Sequence, residues 1–156
     1  MLKIAGIGEL IFSQNADDIL KTYALSSCVA VIVYNPLKKK AGLIHIALPN
    51  HENIEEIKKR PYYFANTGVP LLIDGMCQKY GCYKDDLKIT LIGGAMSKRI
   101  DDIFNIGIKN LQMIKKILNN YNLKYQATEI GGMLSRTVEI DVATGLIEVY
   151  SQPINF

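Results

Sequence analysis

The sequence predicts a mixed α/β protein of the α+β kind, strand-rich with mixed sheets and two principal helices. Three observations carry that expectation. Short β-branched and aromatic runs bounded by Gly, Pro, Asn and Ser recur, and Val29 to Tyr34 holds three valines, an isoleucine and a tyrosine in six residues. Two longer stretches, Pro61 to Tyr80 and Asn105 to Tyr121, carry dense or helically spaced apolar positions. Near the end, Thr137 to Val142 and Leu146 to Tyr150 flank Ala143-Thr-Gly145 as a hairpin.

At 156 residues, one domain over 1–156 is expected, burying roughly two thirds of its unfolded surface. A hydrophobic share of 49% with 21% charged residues is that of a folded chain, not a disordered one. The net charge of +3 is mild, and the basic clusters Lys38-Lys39-Lys40 and Lys58-Lys59-Arg60 are short and not interleaved with aromatics. They read as solvated surface, so no nucleic-acid partner is expected. The opening segment lacks the extended apolar region of a secretory signal, and no run approaches the ~18 apolar residues of a membrane span. No membrane insertion and a cytoplasmic setting are expected, and there an odd count of three cysteines implies free thiols.

In chain order, Ile4 to Phe12 reads as a strand weakened by Gly6 and Gly8. Ser13 to Asp18 is a polar turn, and Leu20 to Leu25 a second strand. Ser26-Ser27 offers small hydrogen-bonding side chains for a turn, after which Cys28 opens the Val29–Tyr34 strand. Asn35-Pro36-Leu37-Lys38 forms the connection to a strand that ends at Pro49, because Pro36 pre-sets the φ of a type I turn. Asn50 to Arg60 reads as a loop with a solvated His51. Pro61 is placed as the first residue of a helix that Pro70 should kink or break and Gly81 should end. Leu87 to Ile92 is a strand closed by Gly93-Gly94, and Lys98 to Phe104 a mixed connection. Asn105 is an N-cap candidate for a helix whose buried stripe is Gly107, Leu111, Ile114, Leu118 and Tyr121. Leu123 to Ile130 is the strand before Gly131-Gly132. Both Gly-Gly pairs are read first as sites of close backbone packing or positive φ. Neither belongs to a phosphate-binding fingerprint, so no nucleotide cofactor is expected. Cys77 and Cys82 have no nearby histidine and the wrong spacing for zinc, so no metal site is expected.

Two residues stand out of character. Cys28 lies where small polar residues give way to a β-branched run, and His45 is the only polar residue between Gly42 and Pro49. If Tyr34 pairs with Lys39, Cys28 falls directly opposite His45, with Cβ atoms roughly 4.5–5.5 Å apart. A thiol and an imidazole so held are the minimum equipment for thiolate nucleophilic catalysis. The same residues also fit a plain packing role, a small buried thiol and a satisfied core histidine.

Thr22…Ser27-Cys28-Val-Ala-Val…Tyr34-Asn35-Pro36…Gly42-Leu-Ile-His45…Leu48-Pro49 resembles the signature of CheD, the chemoreceptor glutamine deamidase family of bacterial and archaeal chemotaxis. The resemblance continues through Tyr63-Phe-Ala-Asn-Thr67, Ile92-Gly-Gly-Ala95, Asn105-Ile-Gly107…Asn110, Gly131-Gly132…Arg136 and Thr144-Gly145, almost the whole chain. It implies a CheD-like fold, similar to the catalytic domain of the cytotoxic necrotizing factor toxins. It also implies a nucleophile at Cys28, a general base and acid at His45, and an orienting hydroxyl at Thr22. Backbone N–H groups around Ser27 and Cys28, at the Ser26-Ser27 turn, are the oxyanion candidates. The implied partners are the cytoplasmic helices of chemoreceptors, as substrate, and the phosphatase CheC. The alternative is a non-catalytic binding module that regulates CheC or the receptors. Where the family usually has glycines this chain has Ala24 and Ser26, and Met133-Leu134-Ser135 also departs from the commoner pattern.

Overall fold

In a computed structural model of the chain, residues 1–96 and 104–154 are described. Nine strands among them form two mixed sheets. The strands are β1 (Leu2–Ile4), β2 (Leu10–Ser13), β3 (Ile19–Leu25), β4 (Val29–Asn35), β5 (Lys40–Ile46), β6 (Lys88–Gly93), β7 (Gln126–Ile130), β8 (Leu134–Asp141) and β9 (Ile147–Pro153). The helices are α1 (Ile54–Lys59), α2 (Ala65–Asp74), continued by a π-helical turn over Gly75–Lys79, and α3 (Ile106–Asn120). One sheet runs β1-β3-β8-β9 and the other β2-β5-β4-β6-β7, with parallel pairing only at β1/β3 and β6/β7 among the described residues. The expected α+β class, strand-rich with two principal helices, is the one observed.

Strand β4 sits at the centre because both of its faces are apolar and both are covered. Ala30, Ile32 and Tyr34 pack with Leu43 of β5 against Leu20, Val138 and Ile140 of the other sheet. Val29, Val31 and Val33 pack with Ile44 and Ile46 under Val69, Leu72 and Ile73 of α2 and Leu111, Ile114 and Leu118 of α3. The result is three layers: sheet, sheet and helices. Full burial of each such side chain contributes about 1.5–3 kcal/mol. Among the described residues no helix is long and apolar enough to cross a membrane.

Several local expectations are corrected. The first strand is two: the chain turns at Ile7-Gly8, where Gly8 takes φ +74°. The β4–β5 connection is Pro36–Lys39, closed by Asn35↔Lys40, so paired numbers sum to 75. Asn35 is fully buried and folds its amide oxygen over the turn, accepting from the N–H groups of Leu37 and Lys38. Lys39 completes the turn at φ +54°. His45 therefore faces Ala30, and Cys28 falls beyond Val29↔Ile46, level with Ala47.

Asn50–Arg60 holds a helix, α1, capped by Asn53 through the N–H of Glu55. Glu55 and Glu56 in its first turn and Lys58 and Lys59 in its last complement the helix dipole. His51 is half-buried rather than solvated, edge-on to Phe64 at 5.3 Å and accepting the N–H of Asn53. Pro61 lies in a turn. Residues 63–65 are tied to the end of β5 by Ala47 N–H to Tyr63 O and Ala65 N–H to Leu48 O, so α2 begins only at Ala65. It then runs through Pro70 without ending, because burial of Val69, Leu72 and Ile73 outweighs one missing hydrogen bond. Asn105 precedes α3 in a left-handed conformation and makes no side-chain cap. The connection expected over Lys98–Phe104 lies, apart from Phe104, outside the described residues.

A bulge in β3 immediately follows Thr22. Thr22 pairs with Val138 and Leu25 with Arg136, so three steps on β3 match two on β8. Strict alternation would send Thr22 and Leu25 to opposite faces. The extra residue brings both inside, each fully buried, and leaves Tyr23 and Ala24 exposed. Ala24 pays for this with φ +56°, a conformation costing an L-residue about 1–2 kcal/mol. Ala24→Gly is therefore expected to stabilise the fold by about 0.5–1 kcal/mol after the entropic cost of glycine. Urea denaturation would measure it, and a loss of stability on that substitution would contradict the account of the bulge.

Candidate active site

Thr22, His45 and Cys28 converge at one end of the space between the sheets. Thr22 reaches across from β3, and its Oγ1 lies 2.7 Å from His45 Nδ1 and 2.7 Å from the carbonyl oxygen of Ala5. A hydroxyl has one proton, and a carbonyl oxygen can only accept, so that proton goes to Ala5 O. Oγ1 must then accept from Nδ1–H, which assigns the His45 tautomer and leaves the lone pair on Nε2. Nε2 is buried and, among the described residues, makes no hydrogen bond. A lone pair held in place without a partner is the state of a general base awaiting a proton.

The sequence spacing alone does not bring Thr22 to His45; the contact crosses between the two sheets. Cys28 and His45 share a face of their sheet, since Ala30 opposes His45 and Cys28 lies two residues before Ala30. The relation is diagonal instead of directly opposed. Diagonal neighbours on such a sheet have Cα atoms roughly 7–8 Å apart, a gap within reach of an aromatic-sized ring. Thr22 and His45 are buried while Cys28 is half-buried, so Cys28 is the residue of the trio with exposure to solvent.

Burial sets the charge state. It pushes the Cys28 thiol up to about 11 and holds the His45 imidazole down at about 4. At neutral pH both groups are therefore neutral, a thiol beside an imidazole and not a thiolate–imidazolium pair.

The backbone before Cys28 is braced on three sides. Ser26 O accepts from the N–H of Ala95 at 2.7 Å, and Cys28 O from the N–H of Gly94 at 2.9 Å. Ser27 O accepts from Asn110 Nδ2 at 3.0 Å. The Gly93-Gly94 pair is thus part of the site wall as well as close packing. A Cβ on Gly93 would lie 2.3 Å from Cys28 O, and the residue takes φ +112°. Ser26 and Ser27 flank the site through their backbone, and among the described residues neither side chain makes a hydrogen bond.

Asn110 is the residue that periodicity passed over. It lies three residues after Gly107 and four before Ile114, within the buried stripe of α3, and is itself fully buried. An amide on an apolar stripe must find partners, and that demand was the available signal. Among the described residues no group of three or more His, Cys, Asp or Glu is placed to hold a metal ion. Cys77 and Cys82 are free thiols packed with the core under the helices.

A family model described as CheD chemotactic sensory transduction matches residues 47–151. A probable chemoreceptor glutamine deamidase CheD from Syntrophotalea carbinolica is 42% identical over 149 residues, covering 94% of this chain and 91% of that protein. A second, from Syntrophus aciditrophicus, is 36% identical over 149 residues, or 95% of this chain and 92% of its own length. A third, from Desulforamulus reducens, is 40% identical over 133 residues, 83% and 79% of the two chains. Among solved structures, the Bacillus licheniformis hypothetical protein YfiH aligns with 79% of this chain and 51% of its own, at 12% identity and a TM-score of 0.49. The family model covers well over half the chain and the relatives span nearly all of it, so this chain belongs to the CheD family.

Proposed function

We propose that the chain is a cytoplasmic protein-glutamine deamidase that converts glutamines of chemoreceptor helices to glutamates, using Cys28 as nucleophile. The observation that carries the reading is the unpartnered Nε2 of His45, fixed as the basic nitrogen by Thr22 and lying on the face of Cys28. Membership of a family whose relatives bear the name chemoreceptor glutamine deamidase supplies the substrate class.

The steps follow from the charge states. Cys28 passes its proton to His45 Nε2 as the sulfur attacks the side-chain carbonyl carbon of glutamine, so the ion pair forms only during the reaction. The developing oxyanion takes backbone N–H groups at Ser27 and Cys28. The imidazolium gives its proton to the amide nitrogen, the C–N bond breaks, and ammonia leaves a thioester. Water then adds to the thioester, losing a proton to His45, and collapse returns the thiol and a glutamate. Thr22 holds the ring throughout and, being neutral, stabilises the imidazolium less than a carboxylate would. CheC binding belongs to the same reading as a separate surface function that does not use the thiol.

Mass spectrometry of a cognate chemoreceptor fragment should show amide-to-acid conversion at defined glutamines with the wild-type protein and none with Cys28→Ala, while Cys28→Ala still binds CheC. Conversion that survives Cys28→Ala would refute the mechanism. Thr22→Val, which keeps shape but removes the hydroxyl, should lower kcat and destabilise by about 1–3 kcal/mol, the cost of leaving Nδ1–H buried without an acceptor. Equal kcat for the two proteins would remove Thr22 from the site. The pH dependence has a definite sign. Below a pKa of about 11 the thiolate fraction grows tenfold per unit, so iodoacetamide alkylation of Cys28 should rise about tenfold per pH unit between about pH 6 and 9. Deamidation should fall only as His45 protonates near about 4. A flat alkylation profile across neutral pH would reveal a resting ion pair instead.

A further inference from the structure

The amide of Asn110 makes two hydrogen bonds, from Nδ2 to Ser27 O at 3.0 Å and to Ala47 O at 3.1 Å. Both partners are acceptors, so the orientation of the amide is fixed; reversing it would set Oδ1 against two carbonyl oxygens. Ser27 precedes Cys28, and Ala47 lies two residues beyond His45. The β4–β5 ladder ends at Val29↔Ile46. Just past that end, one side-chain amide clamps together the two segments that carry the thiol and the imidazole.

The clamp has a consequence for Cys28 N–H. The Ser27–Cys28 peptide is planar and trans, so its C=O and N–H point in opposite directions. Holding Ser27 O against Asn110 turns Cys28 N–H away from the helix. The carbonyls on either side are held as well, by Ala95 N–H and Gly94 N–H. Three successive carbonyls are thus pinned, while among the described residues the N–H groups of Ser26, Ser27 and Cys28 donate to nothing. Donors that are oriented but unoccupied, next to a thiol, are what a developing oxyanion requires.

Helix α3 reaches this position because of Gly107. A Cβ there would lie 2.4 Å from Ala95 O and 2.6 Å from Gly94 O, so only glycine lets the first turn of α3 press against the brace. Asn110 follows one turn later.

We infer that Asn110 is a positioning residue of deamidation: it fixes the Ser27–Cys28 peptide so that Cys28 N–H meets the oxyanion of the tetrahedral intermediate. This rests on Cys28 being the nucleophile. The test separates chemistry that builds an oxyanion from chemistry that does not. Attack of Cys28 on a glutamine amide builds one; displacement of iodide from iodoacetamide does not. With Asn110→Ala, kcat for deamidation of a chemoreceptor fragment is expected to fall about 10- to 100-fold with KM little changed. Alkylation of Cys28 stays within about twofold, since that substitution at carbon never uses the donors of an oxyanion hole. If Asn110→Ala fails to fold, Asn110→Leu, which keeps most of the volume and removes the donors, is read the same way. Unchanged kcat in a folded variant overturns the inference, as does a fall in alkylation equal to the fall in kcat, which would mean a collapsed pocket. Wild-type protein run alongside tells the two levels apart: no conversion by wild type defeats the deamidase reading and the inference together, whereas an active wild type with an equally active variant defeats the inference alone.

Discussion

The Thr22 hydroxyl has one proton to give, and much of the site depends on where it goes. Ala5 O takes it, so His45 must donate from Nδ1 and keep its lone pair on Nε2. The geometry that permits this is not local. Thr22 is turned inward on one sheet and His45 on the other, and the bulge at Tyr23-Ala24 keeps Leu25 inward as well. Ala5 must also lie beside β3, where its N–H bonds Lys21 O. A buried, fully assigned hydrogen-bond pair of this kind links the two sheets and sets the ring plane in one step.

The second constraint is the end of the central ladder. While β4 and β5 pair, their backbone groups satisfy one another; beyond Val29 and Ile46 they do not. The protein answers with the N–H groups of Gly94 and Ala95 and the side chain of Asn110, all serving carbonyls. The asymmetry matters, because pinned acceptors beside donors that are free among the described residues leave positive partial charge at the start of the strand. Gly93, whose missing Cβ leaves room for Cys28 O, belongs to the same arrangement. Packing and electrostatics therefore come from one set of contacts.

How far the sequence foretold this varies with the range of the interaction. Strand β4, the stripe on α3 and the β8–β9 hairpin were legible, because their signals are periodic and lie within single elements. Cys28 and His45 stood out as chemically foreign to their runs. Their register did not, since it turns on Asn35 capping its own turn and on Lys39 accepting positive φ, which no propensity announces. Thr22 looked like an ordinary strand residue, and its partner lies 23 positions away on another sheet. Ala24 stood where the resemblance implies a glycine, and its meaning came only with the φ of +56°. Asn110 hid in a stripe because periodicity reports which side faces inward and says nothing of what a polar group finds there.

Burial explains why a site with so few ionisable groups can rest in a neutral state. Desolvation disfavours thiolate and imidazolium alike, so each group is driven toward its uncharged form by the same cause. A permanent ion pair at this depth would need further hydrogen bonds, and among the described residues Nε2 has none. The neutral thiol is also a poor target for oxidants and adventitious electrophiles, which attack the thiolate. Under the deamidase reading, charge then appears only when a glutamine carbonyl is in place to receive the electrons and oriented N–H groups are in place to receive the oxygen. On that reading, reactivity is conditional on the substrate because both partners of the proposed proton transfer are held neutral by the same burial, and the half-buried Cys28 is the side from which a substrate would approach.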